Sequence, residues 1–213
     1  MKVKFKFPHI HTLDDVLPHI KDRDEFNVND KGEYISVTYA VAFQDTFEID
    51  EENPLPGLIR RECRGLKFHP DYRIAARPFH KFFNIGERDE TQPHVLNFNE
   101  PHVVSTKEDG SLVHPLLLDR ELEWDTETGT VFLDKDLMWC TKAGVTDVSE
   151  LASSFVEKNK NYAEFGAKCL LRGVTPSFEY VGPQNRIVLR YNEENMILLA
   201  ARDNVTGEYL ELE

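Results

Sequence analysis

The sequence predicts an α+β fold built mainly from antiparallel strands. Three observations predict it. Short runs rich in β-branched and aromatic residues dominate the chain, and Tyr34–Val41 is the clearest of them. The few segments with helical periodicity do not alternate with strands, which argues against a doubly wound parallel sheet. The composition is globular: 213 residues, 40% hydrophobic and 30% charged, with 11 glycines and 11 prolines. Those proportions exclude collagen, coiled coil and a disordered chain, and the length suits one large domain or two small ones.

Taken in order, the first element is a weak helix over Leu13–Ile20, with Pro18 expected to break it early. Tyr34–Val41 follows as a strand. Glu51–Gly57, with Pro54 and Pro56, reads as a loop. Gly65–Phe68 and Ile74–Ala76 read as a pair of strands, and Gly86–Pro101 as a long loop. Val103–Thr106 and Leu112–Leu118 flank an Asp-Gly turn. Pro115 inside the second run implies an edge position or a bulge. Glu121–Trp124 and Val131–Leu133 flank Glu127-Thr128-Gly129, a hairpin signal. The best helix is Asp147–Asn159, whose Val148, Leu151, Ala152, Phe155 and Val156 form one apolar stripe, with Asp147 as cap and Glu150 closing a capping box. A second helix covers Tyr162–Leu171 and stops at Gly173. Ser177–Val181, Ile187–Tyr191, Met196–Ala201 and Glu208–Leu212 complete the strands.

The net charge is −13. A protein that coats nucleic acid non-specifically is normally basic, so any nucleotide or RNA must be met by a local positive site. Between Arg60 and Arg88 eight basic residues face three acids. That segment is either a solvated strand face or a basic floor for phosphates. Cys63, Cys140 and Cys169 are widely spaced, which excludes a disulfide scaffold or a Cys-x-x-Cys zinc site and suits a reducing, cytoplasmic setting. There is no apolar run of membrane-spanning length and no signal-peptide core, so no membrane partner is expected. Phosphate-loop, dinucleotide-fold and α/β-hydrolase motifs are absent.

Three constellations carry chemistry. Lys107-Glu108-Asp109-Gly110-Ser111 is an ordinary charged turn on one reading. On the other, Lys107 is a nucleophile that attacks an α-phosphate, Gly110 lets the nucleotide approach, and Asp109 orients the lysine or a metal shell. An alkylammonium with the usual pKa of about 10.4 costs roughly 4.6 kcal/mol to deprotonate at pH 7, so neighbouring cations, desolvation and Mg²⁺ must supply most of that. Ser177-Phe178-Glu179-Tyr180-Val181 offers Glu179 either as a solvent-facing strand residue or as a carboxylate accepting from ribose hydroxyls or a lysine partner. Glu62-Cys63-Arg64-Gly65 with Arg77-Pro78-Phe79-His80-Lys81-Phe82-Phe83-Asn84 interleaves cations and aromatics, a pattern that grips phosphates and stacks a base, or simply packs a core.

In this order, and with Phe-Glu-Tyr-Val-Gly-Pro-Gln-Asn-Arg-Ile-Val and Thr206-Gly207-Glu208-Tyr209 following, the blocks resemble the RNA ligase 1 family of T-even-type bacteriophages from about Tyr34 onward. The resemblance implies a nucleotidyltransferase (adenylation) domain with antiparallel sheets flanking a nucleotide cleft. It implies ATP and Mg²⁺ as cofactors, Lys107 as the adenylated lysine, and Arg64, Lys81, Phe83, Lys142 and Glu179 as ATP-binding residues; the turn reading adds Gly110 beside the nucleotide and Asp109 toward the lysine or the metal. It also implies RNA ends as substrate, including cleaved tRNA. A DNA ligase or capping enzyme, and a non-catalytic ATP- or RNA-end-binding remnant, are the alternative readings. The family pattern continues with a Glu-Gly-x-Val-Ala and a Lys-x-Lys motif that do not occur before Glu213. The expectation is therefore a domain incomplete at its C-terminus, weak in self-adenylation alone and completed by a second polypeptide.

Overall fold

A computed structural model describes residues 6–118 and 137–212. The architecture is α+β with two four-stranded antiparallel sheets. The first sheet runs in the order β1 (Phe26–Asp30), β2 (Ile35–Tyr39), β3 (Arg64–Phe68), β4 (Ile74–Ala76). The second is ordered β6-β5-β7-β8, from β5 (Ser111–Leu117), β6 (Leu137–Cys140), β7 (Val174–Val181) and β8 (Asn195–Asp203). The helices are α1 (Leu17–Ile20), α2 (Leu55–Glu62), α3 (Asp147–Lys158) and α4 (Lys160–Leu171).

Several elements depart from the sequence reading, each for a local reason. Leu13–Ile20 is a 3₁₀ turn, Leu13–Asp15, followed by α1, and Pro18 sits in the first turn of α1, where a missing N–H costs nothing. The same rule makes a helix start of the expected loop Glu51–Gly57: Pro56 lies in the first turn of α2. α3 is capped one residue earlier than expected. Thr146 Oγ1 accepts from the Ser149 amide at 3.4 Å, and Ser149 Oγ accepts from the Thr146 amide at 2.8 Å. The expected strand Val103–Thr106 is an exposed segment, with Val103 90% accessible, because β5 already has β6 and β7 as partners. Ile187–Tyr191 is likewise outside the sheets. Glu208–Leu212 contributes a single bridge, Tyr209 to Arg202. The expected strands Glu121–Trp124 and Val131–Leu133 lie outside the described residues.

The stripe of α3 and the inner face of α4 bury against the second sheet in one cluster with Val113, Trp139, Phe178 and Tyr180. Each large apolar side chain so buried contributes about 1.5–3 kcal/mol. Pro115 meets the edge expectation on one side: β7 pairs with β5 only through Val113, whereas β6 pairs with His114–Leu117. α4 packs into that interruption, since a Cβ on Gly166 would stand 3.1 Å from Pro115. α2, β2, β3 and the 3₁₀ turn enclose a separate cluster around Phe47, Leu66 and Phe68.

The two sheets are joined by a buried ionic knot. Glu62, at the end of α2, accepts from Arg77 Nε at 3.0 Å and from Arg202 Nη1 and Nη2 at 2.7 and 2.8 Å. The same guanidiniums bond the carbonyls of Pro8, Val205, Pro78 and Gly207. Burial pushes the Glu62 carboxyl up, but Arg202 and Arg77 together outweigh it and hold it below the usual carboxylate range.

Candidate nucleotide site

The knot fixes the start of β3, and Arg64 is the first residue of that strand. After β4 the chain returns across α2, where the Lys81 amide bonds the Arg61 carbonyl at 2.7 Å. That return brings Lys81 back toward Arg64. Lys142 follows β6 and meets them from the second sheet. A Cβ on Gly65, whose φ is +96°, would lie 2.9 Å from Lys142 Cα, so only glycine allows this approach. Burial lowers the Lys142 ammonium below its ordinary range, and the charges of Arg64 and Lys81 lower it further. Burial also lowers Lys81; Glu87, at 3.7 Å, opposes this, and Arg64 and Arg88 add to it. Arg64 Nη1 is buried and has no hydrogen-bond partner among the described residues. A buried guanidinium nitrogen left without an acceptor, in the field of two ammonium groups, is a demand for an anion.

The basic segment is therefore not a continuous floor. Arg60 bonds the carbonyls of Thr46 and Glu48, and Arg61 bonds that of Phe47 and pairs with Glu90. Arg73 pairs with Asp71, Arg77 with Glu62, and Arg88 bonds the Gln44 carbonyl. Lys67 points inward. Arg64 and Lys81 are what this segment presents, and Lys142, remote in sequence, completes the trio.

Aromatic rings surround it. Phe83 packs against the first sheet's cluster, with Arg61, Lys81 and Arg88 at 4.3–5.0 Å from its centroid. Phe82 is the exposed neighbour and carries the Arg64 guanidinium at 5.2 Å. Lys142 Nζ stands 4.1 Å over Tyr39.

The second group forms around the turn before β5. The Gly110 amide donates to Glu179 Oε1 at 3.0 Å. A Cβ on Gly110 would fall 2.2 Å from the Tyr180 carbonyl, so this glycine is needed for packing on β7 quite apart from any ligand. Asp109 Oδ2 accepts from the Val188 and Leu189 amides at 2.7 and 2.5 Å, which is why Ile187–Tyr191 hangs on this turn and not on a sheet. Tyr191 Oη receives the Asp109 amide and donates to Glu108. Lys107 is exposed beside them, and its charge reaches both Asp109 and Glu179. Burial raises the Glu179 carboxyl above the usual range; the Gly110 amide and Lys107 oppose that, and Asp109 and Glu108 reinforce it.

The two groups share one end of the second sheet. Glu179 pairs with Leu112 near the start of β5. Cys140 pairs with His114 on the other flank, so Lys142, two residues on, lies at that same end. A hollow of about 630 Å³ lined by Tyr191, Glu193 and Glu194 lies beside the Lys107 turn, but its acids make it unsuitable for phosphate. Among the described residues no group of three or more His, Cys, Asp or Glu is arranged to hold a metal, and no helix is long and apolar enough to cross a membrane. The three cysteines are free thiols. Sequence reasoning did not single out Lys67, Tyr191 or the Glu62–Arg202 pairing; for the last two, no local pattern marks a residue whose partner is supplied by another part of the fold.

Residues 62–213 match the family model described as RNA ligase, and the chain belongs to that family. It is 30% identical over 200 residues to a protein of Thermovibrio ammonificans provisionally named as an RNA ligase, covering 93% of this chain and 47% of that protein. It is 28% identical over 204 residues to RNA ligase 1 of bacteriophage TS2126, with the same coverages. The chain thus spans about half the length of these curated relatives.

Proposed function

We propose that this chain is the adenylyltransferase module of an ATP-dependent RNA ligase, a nucleotidyltransferase domain over 1–213. Lys107 Nζ attacks the α-phosphorus of ATP, the bond to the leaving pyrophosphate breaks, and a lysyl-AMP phosphoramidate forms. The AMP then passes to an RNA 5′-phosphate, and a 3′-hydroxyl displaces it to seal the ends, cleaved tRNA being one such substrate. Arg64, Lys81 and Lys142 hold the phosphates. Glu179 serves the ribose, Phe83 with Phe82 borders the base, and Gly110 sets the turn. The observation that carries this reading is the cation trio with its unpartnered Arg64 Nη1, set at the sheet end that also holds Lys107 and Glu179. The described residues do not by themselves fit a resident Mg²⁺ site. Asp109 spends one carboxylate oxygen on two amides, and it is proposed only as an outer contributor to Mg²⁺ carried in by the triphosphate.

The test is incubation with Mg²⁺ and ATP labelled at the α-phosphate, read by denaturing gel and intact mass. Weak label on the wild type, absent from Lys107→Ala and lower still in Arg64→Ala or Lys142→Ala, is the expected result. Equal label on Lys107→Ala would remove the nucleophile assignment. ATP binding with no adduct would leave a nucleotide-binding module and no ligase chemistry in this chain.

A further inference from the structure

Beneath the cation trio lies an ammonium that the reading above does not use. Lys67, in β3, is fully buried. Its Nζ donates to the Gly65 carbonyl at 2.9 Å and to the Lys142 carbonyl at 3.5 Å. These are the two backbones that touch at Gly65, one carrying Arg64 and the other Lys142 itself. The titratable groups facing Lys67 come from β5 and β6. His114 Nδ1 lies 3.1 Å from the Pro115 carbonyl, which can only accept, so Nδ1 carries the proton and Nε2 the lone pair. Burial, with the Lys67 charge adding to it, pushes His114 down to about 3 and keeps it neutral. Burial pushes the Cys140 thiol up to about 11, with Lys67 opposing, so it too is neutral. No carboxylate pairs with Lys67 among the described residues, and burial lowers its own ammonium to about 8. A buried cation with only carbonyls for company is costly unless an anion arrives nearby.

We propose that Lys67 is a positioning residue for the bound polyphosphate: it staples the backbone of β3 to that of the segment after β6, holds Arg64 and Lys142 at a common anion, and adds a fourth positive charge from below. This rests on the reading of the trio as the ATP phosphate site. Binding of the anion then favours the protonated staple, and by linkage a protonated staple favours the anion. A tenfold coupling raises the Lys67 pKa by one unit on binding.

The experiment is calorimetric titration of the full chain with MgATP from pH 6.5 to 9.5, in two buffers of different ionisation enthalpy, for wild type and Lys67→Met. For the wild type, Kd should hold steady to about pH 7.5, weaken about fivefold by about pH 9 and approach tenfold beyond it, with net proton uptake in that window. Lys67→Met should bind about tenfold more weakly at pH 7 and lose both the step and the matching share of proton uptake. Titration of Lys81 and Lys142 persists in the variant, so the difference between the proteins is the readout. Variant affinity within twofold of wild type at pH 7 overturns the proposal. If the variant does not fold, the wild type decides alone, and a flat Kd with no proton uptake between pH 7 and 9.5 overturns it. ATP binding and Lys107 label with a flat profile would sink this inference only, whereas no ATP binding at any pH would sink the proposed function with it.

Discussion

Replacing Glu62 by Gln should damage this protein more than any exposed change near the site. The substitution keeps the volume and removes the charge. Glu62, Arg77 and Arg202 have side chains at most 1% accessible, so two guanidiniums would be left buried without a counter-ion. Breaking a buried pair in this way typically costs about 3–5 kcal/mol. The carbonyls of Pro8, Pro78, Val205 and Gly207 still accept from the arginines, which places the expectation near the low end, about 3 kcal/mol. Against a typical total of about 5–15 kcal/mol this is a large fraction. Equilibrium urea unfolding measures it: with a slope near 2 kcal/mol per molar, the midpoint should fall by about 1.5 M at unchanged slope. The dependence on pH has a definite sign. The folded carboxyl is held below its unfolded value of 4.5, so its contribution is complete above about pH 4.5 and is lost as pH falls through the folded pKa. Wild type and variant should therefore converge in acid. A midpoint shift under about 0.5 M at neutral pH, roughly 1 kcal/mol, would refute the account of the knot as the clamp between the sheets.

Gly110→Ala should fold, as read by circular dichroism, yet lose label at Lys107 by more than about tenfold, because its Cβ would displace the turn from the Tyr180 carbonyl 2.2 Å away. His80 and His114 are pushed down to about 4 and about 3 by burial, so below pH 6.5 the unfolded chain binds more protons and stability should fall on acidification; thermal midpoints from pH 7 to 4 should drop less in His114→Gln. Cys63 and Cys140 are buried, and burial pushes both thiols up, whereas Cys169 is half-buried. Thiol titration should find Cys169 first in the native protein and all three in denaturant, and a native count of three would contradict the burial.

The helices α3 and α4 and the central strands were legible because their signals are local: a stripe at helical spacing, or a β-branched run. β1, β6 and the role of Ile187–Tyr191 were not. Phe26–Asp30 has one buried residue followed by four exposed ones, which is no period-2 pattern. Val188 and Leu189 have strand-forming side chains, but their amides go to Asp109, a choice made by a carboxylate some 80 positions away. The site shows the same division. The family resemblance pointed to Arg64, Lys81, Lys107, Lys142 and Glu179, and it could not show that Asp109 ties down a loop or that most of the eight cations between Arg60 and Arg88 serve the scaffold. Lys67 gave no sign in the sequence, since in Gly65-Leu66-Lys67-Phe68 an inward lysine and an outward one look alike.

The ionic knot also has a place in time. Arg202 and Glu62 are separated by 140 positions, so closing their contact waits on long loops and on both sheets. During synthesis at about 5–20 residues per second, Glu62 and Arg77 emerge on the order of ten seconds before Arg202 does. In that interval the first sheet holds a carboxylate with one of its two cations. So long a loop predicts that the contact forms on the late side of the folding barrier, after the rate is already set. Substitutions within it should change how quickly the protein comes apart and leave the speed of its folding almost untouched.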